Sequence, residues 1–80
     1  MKKTLDNLNT GQSGLIYEIN TSNYIKKRLL NLGIIKNTKI KSLYKSPFKD
    51  PTTYLVRNSI IALRNKDAKN IIILTEDKNE

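Results

Sequence analysis

The 80-residue chain has no cysteine, no histidine and no tryptophan, and only three glycines and two prolines. Without Cys there is no disulfide, thiolate or zinc-knuckle chemistry, and without His there is no imidazole for acid/base work. Ser and Thr hydroxyls are present, but no partner that would activate one is visible. No stretch approaches the ~18–20 consecutive apolar residues of a membrane span. The N-terminal Met1-Lys2-Lys3-Thr4-Leu5 runs directly into Asp6 and Asn7 with no apolar signal region. These absences lead to the expectation of a cytoplasmic protein that does not insert into the membrane and is not an enzyme. A chain this short fits one domain, residues 1–80, and a core of that size leaves only ~3–5 kcal/mol of net stability.

Charge is what the chain has in excess: 15 Lys and Arg against 7 acids, a formal +8 with a pI near 9.9. Such an excess raises nucleic acid or an anionic surface as partners. Twelve of the 15 bases are lysine, the arginines being Arg28, Arg57 and Arg64, and Lys, Asn and Ile are abundant together. A base bias of the genome produces that combination, so part of the charge reports composition rather than a partner. The carboxylates Asp6, Glu18, Asp50, Asp67, Glu76, Asp77 and Glu80 include no two that would converge from one helix or strand, so no metal site is expected.

The apolar spacing predicts five strands and one helix. Leu5 and Leu8 suit a short helical turn that drops two leucines onto a core. Gly11 and Gly14 bracket a polar turn. Leu15 to Ile19 alternates as a strand, with Ile16 and Glu18 on one face and Leu15, Tyr17 and Ile19 on the other. Thr21, Ser22 and Asn23 offer N-caps, and Ile25, Leu29 and Leu32 then follow at helical spacing, with Lys26 and Lys27 facing away. Gly33 is placed to end the helix in a left-handed conformation, with Ile34 folding back on Leu29. Lys39 to Ser42 alternates until Leu43 and Tyr44 break the pattern by one step, as at a bulge. Pro47 and Pro51 bound a loop. Thr52 to Arg57 and Ile60 to Arg64 form a hairpin in which Asn58 takes the tight turn. Ala68 points inward from a polar turn, Ile71 to Leu74 is the last strand, and residues 76–80 make a frayed tail. The fold expected is mainly β: a small SH3-like antiparallel barrel with the helix plugging one end. Its core would hold Ile16, Leu29, Leu32, Ile40, Val56, Ile61, Leu63, Ile71 and Ile73.

One ordered set is more specific than any of its pieces: Thr4-Leu5 and Leu8; Gly11-x-x-Gly14; Lys27-Arg28-Leu29-Leu30-Asn31-Leu32-Gly33-Ile34; Pro47-Phe48-Lys49-Asp50-Pro51; Val56-Arg57-x-x-Ile60-Ile61-Ala62-Leu63-Arg64; and Ala68 before Ile71-x-Ile73. Over residues 4 to 73 this succession resembles the FeoA family, small cytoplasmic proteins of bacterial ferrous iron uptake that accompany the membrane GTPase transporter FeoB. A similar module ends metal-dependent repressors of the diphtheria toxin repressor type. The family usually has Pro-Gly where this chain has Lys36-Asn37, and Gly in the hairpin where it has Asn58. Asn is the residue that best keeps a left-handed conformation after glycine is lost. A further family Gly, in Leu-Gly-Asp-Pro, is replaced in Phe48-Lys49-Asp50-Pro51.

The resemblance implies a non-catalytic adaptor that binds and modulates FeoB from the cytoplasmic side, peripheral to the membrane through that partner. It needs no cofactor, and without His or Cys it would act on a transporter rather than carry the metal. The outward side chains Leu55, Ile60, Ile72 and Leu74 form a candidate contact patch, unless Leu5 and Leu8 fold over it, and Lys26, Lys27 and Lys36 form a basic helix face. Ile71 to Leu74, uncharged and of high β propensity, would pair with a second copy if its edge were open, giving a weak homo-oligomer. One alternative is a stand-alone SH3-like module of the metal-repressor type; the other is a nucleic-acid-binding barrel using Lys39, Lys41, Lys45 and Lys49 with Tyr44 or Phe48 stacking on a base. The latter is disfavoured by the scattered aromatics.

Overall fold

The structure, a computed structural model, describes residues 1–76. Six strands and two helices follow in order: β1 (Lys2–Thr4), a 3₁₀ turn (Leu5–Asn7), β2 (Ser13–Ile19), α1 (Asn23–Asn31), β3 (Lys39–Lys45), β4 (Thr52–Val56), β5 (Ser59–Leu63), α2 (Asn65–Ala68) and β6 (Ile71–Leu74). All ladders are antiparallel, in the spatial order β1-β6-β2-β3-β4-β5. The expected frayed tail falls on residues 77–80, outside the described residues, apart from Glu76. Among the described residues no helix is long and apolar enough to cross a membrane.

The strand missing from the sequence reading is β1. Lys2-Lys3-Thr4 shows no apolar alternation, and it becomes a strand only because β6, some seventy residues away, offers it a ladder. Mutual bonds between Met1 and Thr75 extend that pairing, the Thr75 N–H donating to the Met1 carbonyl at 2.8 Å. Leu5 and Leu8 then enter the interior, both essentially inaccessible.

Helix α1 forms where capping and periodicity place it. Ser22 Oγ accepts from the Ile25 N–H at 3.3 Å. At the other end Gly33, at φ +89, lets its own N–H reach the Leu30 carbonyl and the Ile34 N–H reach the Leu29 carbonyl, each at 2.9 Å. Those are the paired bonds of a Schellman stop. The stop corrects one core assignment, because Leu32 is the cap residue and stays 39 % exposed while Ile34 delivers the buried side chain. Leu29 is buried and Ile25 packs on the same cluster, so the helix lays one side over the interior.

Three local expectations change. Gly14 is not a turn residue: it lies buried within β2, where an added Cβ would stand 3.0 Å from the Leu74 carbonyl oxygen and from Ile73 Cδ1. It is required by the close approach of β6, whereas Gly11, at φ +91, is a true turn glycine. The hairpin turn is Arg57-Asn58, closed by the pair Val56 and Ser59, and the positive φ of 58° falls on Arg57 rather than Asn58. Asn37 does take the left-handed conformation, at φ 70°. In β2 the register shifts between Ile16 and Glu18, so Glu18 faces out and Ile19 packs toward the core, reversing the strict alternation. The bulge expected near Leu43 is present between Ser42 and Tyr44.

Of the expected core, Ile16, Leu29, Ile40, Val56, Leu63, Ile71 and Ile73 are buried, Ile61 is half-buried against them, and Tyr54 and Ala68 join them. The Pro47–Pro51 loop is tied to the start of α2: Asp50 Oδ1 accepts from the Asn65 N–H, and the Asn65 side-chain amide donates to the Lys49 carbonyl, both at 2.9 Å. Lys49, in the position where the resemblance expects glycine, adopts φ 65°.

Candidate protein-interaction surface

Residues directly opposite in antiparallel strands share a face, and the registers set the outward side chains in rows. Lys2, Leu74, Leu15 and Lys39 run across β1, β6, β2 and β3. Ser13, Lys41, Leu55 and Ile60 run across β2, β3, β4 and β5. Tyr44, Thr53 and Ala62 form a further row, across β3, β4 and β5.

The four apolar residues expected to form one patch therefore fall into two. Leu55 and Ile60 are direct partners, and Ile60 is 68 % exposed. Leu74 instead lies beside Leu15, and the pair lines a shallow groove of about 670 Å³ with Lys39 and Thr75. Ile72 sits between Thr4 and Glu18, half-buried. Lys39 and Lys41 stand between the two groups. The cause is topological: β6 inserts between β1 and β2, so strands close in sequence to the hairpin are not its neighbours in space. Leu5 and Leu8 cover neither patch, being in the interior.

The Leu55–Ile60 patch gains a member the sequence reading placed elsewhere. By inserting Leu43 as an extra residue, the bulge carries Tyr44 to the outward side, opposite Thr53 and 58 % exposed. The same shift breaks the alternating lysines. Lys39 and Lys41 face out, but Lys45 pairs with buried Thr52 on the other side. The four bases of the nucleic-acid alternative do not form one stripe.

The three bases of the expected helix face are divided as well. Lys26 and Lys27 lie on α1 beside the exposed Tyr24 and Leu30. The Lys36 ammonium sits 5.6 Å above the Tyr17 ring, which Lys2 approaches at 4.4 Å. Lys26 and Lys36 meet only across a hollow of about 320 Å³ over β2. Tyr24 and Leu30 went unnoticed because they lie off the Ile25–Leu29 stripe, although apolar side chains on the polar side of so short a helix were a legible signal.

Among the described residues no three potential metal-binding side chains cluster. Burial pushes the Tyr54 phenol up to about 12, with the nearby Thr52 hydroxyl opposing the rise and Asp6 and Asp50 adding to it. The Tyr54, Thr52 and Ser42 hydroxyls and Asp6 Oδ1 are buried without a hydrogen-bond partner.

Comparison with known proteins agrees with this architecture. Residues 3–74 match the FeoA domain family. A Campylobacter jejuni protein named for Fe(2+) transport, transport protein A, is 36 % identical over 69 residues, covering 85 % of this chain and 92 % of its own length. A Porphyromonas gingivalis protein named as a fusion of Fe(2+) transport protein A with the Fe(2+) transporter FeoB is 28 % identical over 67 residues, which cover 84 % of this chain and 8 % of the fusion. Among solved structures, FeoA from Chlorobium tepidum superposes with a TM-score of 0.88 at 22 % identity, covering 96 % of this chain and 73 % of that one. Stenotrophomonas maltophilia FeoA, described as a procaryotic SH3 domain protein, gives 0.76 at 27 % identity, covering 88 % and 87 %. The chain has the SH3-like fold of these proteins and belongs to the FeoA family of ferrous iron transport proteins.

Proposed function

We propose that this chain is a non-catalytic adaptor of ferrous iron uptake that binds the transporter FeoB on the cytoplasmic side of the membrane and modulates it. The observation that carries this reading is the fusion in Porphyromonas gingivalis, where a segment similar to this chain is covalently joined to FeoB. Joining two chains raises the effective concentration of one at the other and is useful only if they meet. The surface is consistent with such a role: among its exposed large side chains Leu15, Tyr44 and Ile60 lie on the outer side of the sheet, Tyr24 and Leu30 on α1, and Phe48 on the Pro47–Pro51 loop. Leu55, Ile60, Leu74, Lys26, Lys27 and Lys36 are the side chains we assign to contact, with Ile72 a lesser contributor because of its burial.

The test is capture of detergent-solubilised FeoB on the immobilised chain, together with the GTPase rate of FeoB with and without it. Saturable capture at moderate salt and a changed rate support the adaptor. Failure to recover FeoB at both low and moderate salt would refute it. A gel shift on nucleic acid that falls steeply with salt would replace it with the alternative reading.

A further inference from the structure

Among the described residues the sheet has two edges, β1 and β5, and β5 has no strand neighbour on its outer side. The tight turn at Arg57-Asn58 makes Val56 and Ser59 the closing pair, with the Ser59 N–H donating to the Val56 carbonyl. Bonded and non-bonded pairs alternate along an antiparallel ladder. Ser59, Ile61 and Leu63 therefore direct their backbone groups to β4, and Ile60 and Ala62 direct theirs away from the sheet. Both of these residues are exposed, and among the described residues no further hydrogen bond reaches their backbones. Each thus presents an outward N–H and C=O from a strand, Ser-Ile-Ile-Ala-Leu, that has no charge and no proline. Proteins ordinarily blunt such an edge with lysine, proline or a bulge. Beside it lies an outward apolar strip of Ile60, Leu55, Ala62 and Tyr44.

Charge selects the occupant. Arg57 stands at the turn end of β5, and Arg64 at the other end, next to Asn65, which holds the Lys49 carbonyl. Asp50 also lies on that side, its Oδ1 engaged by the Asn65 N–H, and Asp67 follows in α2. A second copy is a poor fit: two-fold pairing centred on Ile61 would bring Arg57 of one chain to the same end of the ladder as Arg64 of the other, with both chains carrying +8. We propose that β5 is a strand-acceptor edge that takes up an extended segment of a protein partner, apolar where it faces Ile60 and Ala62 and acidic at its ends. The proposal rests on the adaptor reading above and supplies its docking mode. Backbone bonds would hold the segment, alternate side chains would read its apolar residues, and the arginines would select its ends.

The probe is a blocked nine-residue peptide of alternating valine and threonine between acidic ends, titrated into the ¹⁵N-labelled full chain. Expected are saturable shifts confined to Ser59–Leu63 and the β4 residues paired with it, and amide exchange at Ile60 and Ala62 slowed at least tenfold. N-methylation of the edge-facing peptide amides, or lysines in place of the acidic ends, should each weaken binding about tenfold or more. No saturable shift up to millimolar peptide, shifts centred on α1, or equal affinity for the N-methylated peptide would overturn the proposal. A second arm compares FeoB capture by the wild-type chain and by Ile60→Lys, a surface change checked for an unaltered melt. Loss of capture by the variant supports the edge. Equal capture by both removes the edge and leaves the adaptor standing, and no capture by the wild-type chain removes the adaptor reading itself.

Discussion

The two edges of the sheet are finished in opposite ways. The β1 edge is three residues long, carries Lys2 and Lys3, spreads the Lys2 ammonium over Tyr17, and leads into a turn that buries Leu5 and Leu8. The β5 edge is five residues long and uncharged, with Ile60 68 % exposed. A short charged edge repels a foreign strand, and a longer apolar one invites it. In an 80-residue domain with little stability to spare, the β1 side serves the core and the β5 side stays an open edge.

Four substitutions and titrations would break or sharpen that contrast. The largest effect is expected on the closed side. Leu5→Ala removes a side chain at 0 % exposure and should cost about 2–5 kcal/mol, enough to unfold most of the chain in a urea titration. A loss under about 1 kcal/mol would mean that the β1 seam is not part of the core. Gly14→Ala sets a methyl 3.0 Å from the Leu74 carbonyl oxygen and should cost roughly 1–3 kcal/mol, read as a lowered melting temperature; an unchanged melt would show that β2 and β6 can separate freely.

Between the two edges, Tyr54 gives a pH signature. Its phenol ionises near 10 when unfolded and near 12 when folded. The native state therefore keeps the proton in that window, and its stabilising contribution is complete below pH 10 and lost as pH rises through 12. The loss should be on the order of 1–2 kcal/mol, measured as the difference between wild type and Tyr54→Phe in urea titrations at pH 9 and above. Parallel curves for the two proteins would contradict it. The smallest stability effect belongs to the open edge: Ile60→Lys should change the unfolding free energy by no more than about 0.5 kcal/mol. A large loss would show that β5 is already covered.

Legibility followed the range of the forces involved. The Ser22 cap, the Gly33 stop, the step at Leu43 and the Pro47–Pro51 loop are settled by residues within one turn of each other, and all were readable in the chain. β1 was not, because nothing in Lys2-Lys3-Thr4 favours a strand until β6 supplies the pairing. Gly14 looked like a turn because glycine in a polar stretch usually is one, and only the packing of Ile73 and Leu74 reveals the tight approach. Self-pairing through Ile71–Leu74 also fails in the fold, since β6 is flanked by β1 and β2 and has no free edge.

The candidate surface was legible residue by residue but not as a surface. Leu55 and Ile60 were correctly turned outward by alternation, and a hairpin keeps them together. Joining them to Ile72 and Leu74 required knowing which strands adjoin, and Tyr44 joined them through a bulge whose location was visible but whose consequence was not. By itself the sequence determined five of the six strands, helix α1 with both its ends, most of the inward side chains, and the lack of cysteine and histidine. Tertiary structure alone decided the strand order, the split of the apolar patch and the edge left open. Periodicity and backbone preference act over a few residues, whereas the neighbours of a strand are chosen by burial between segments far apart in the chain.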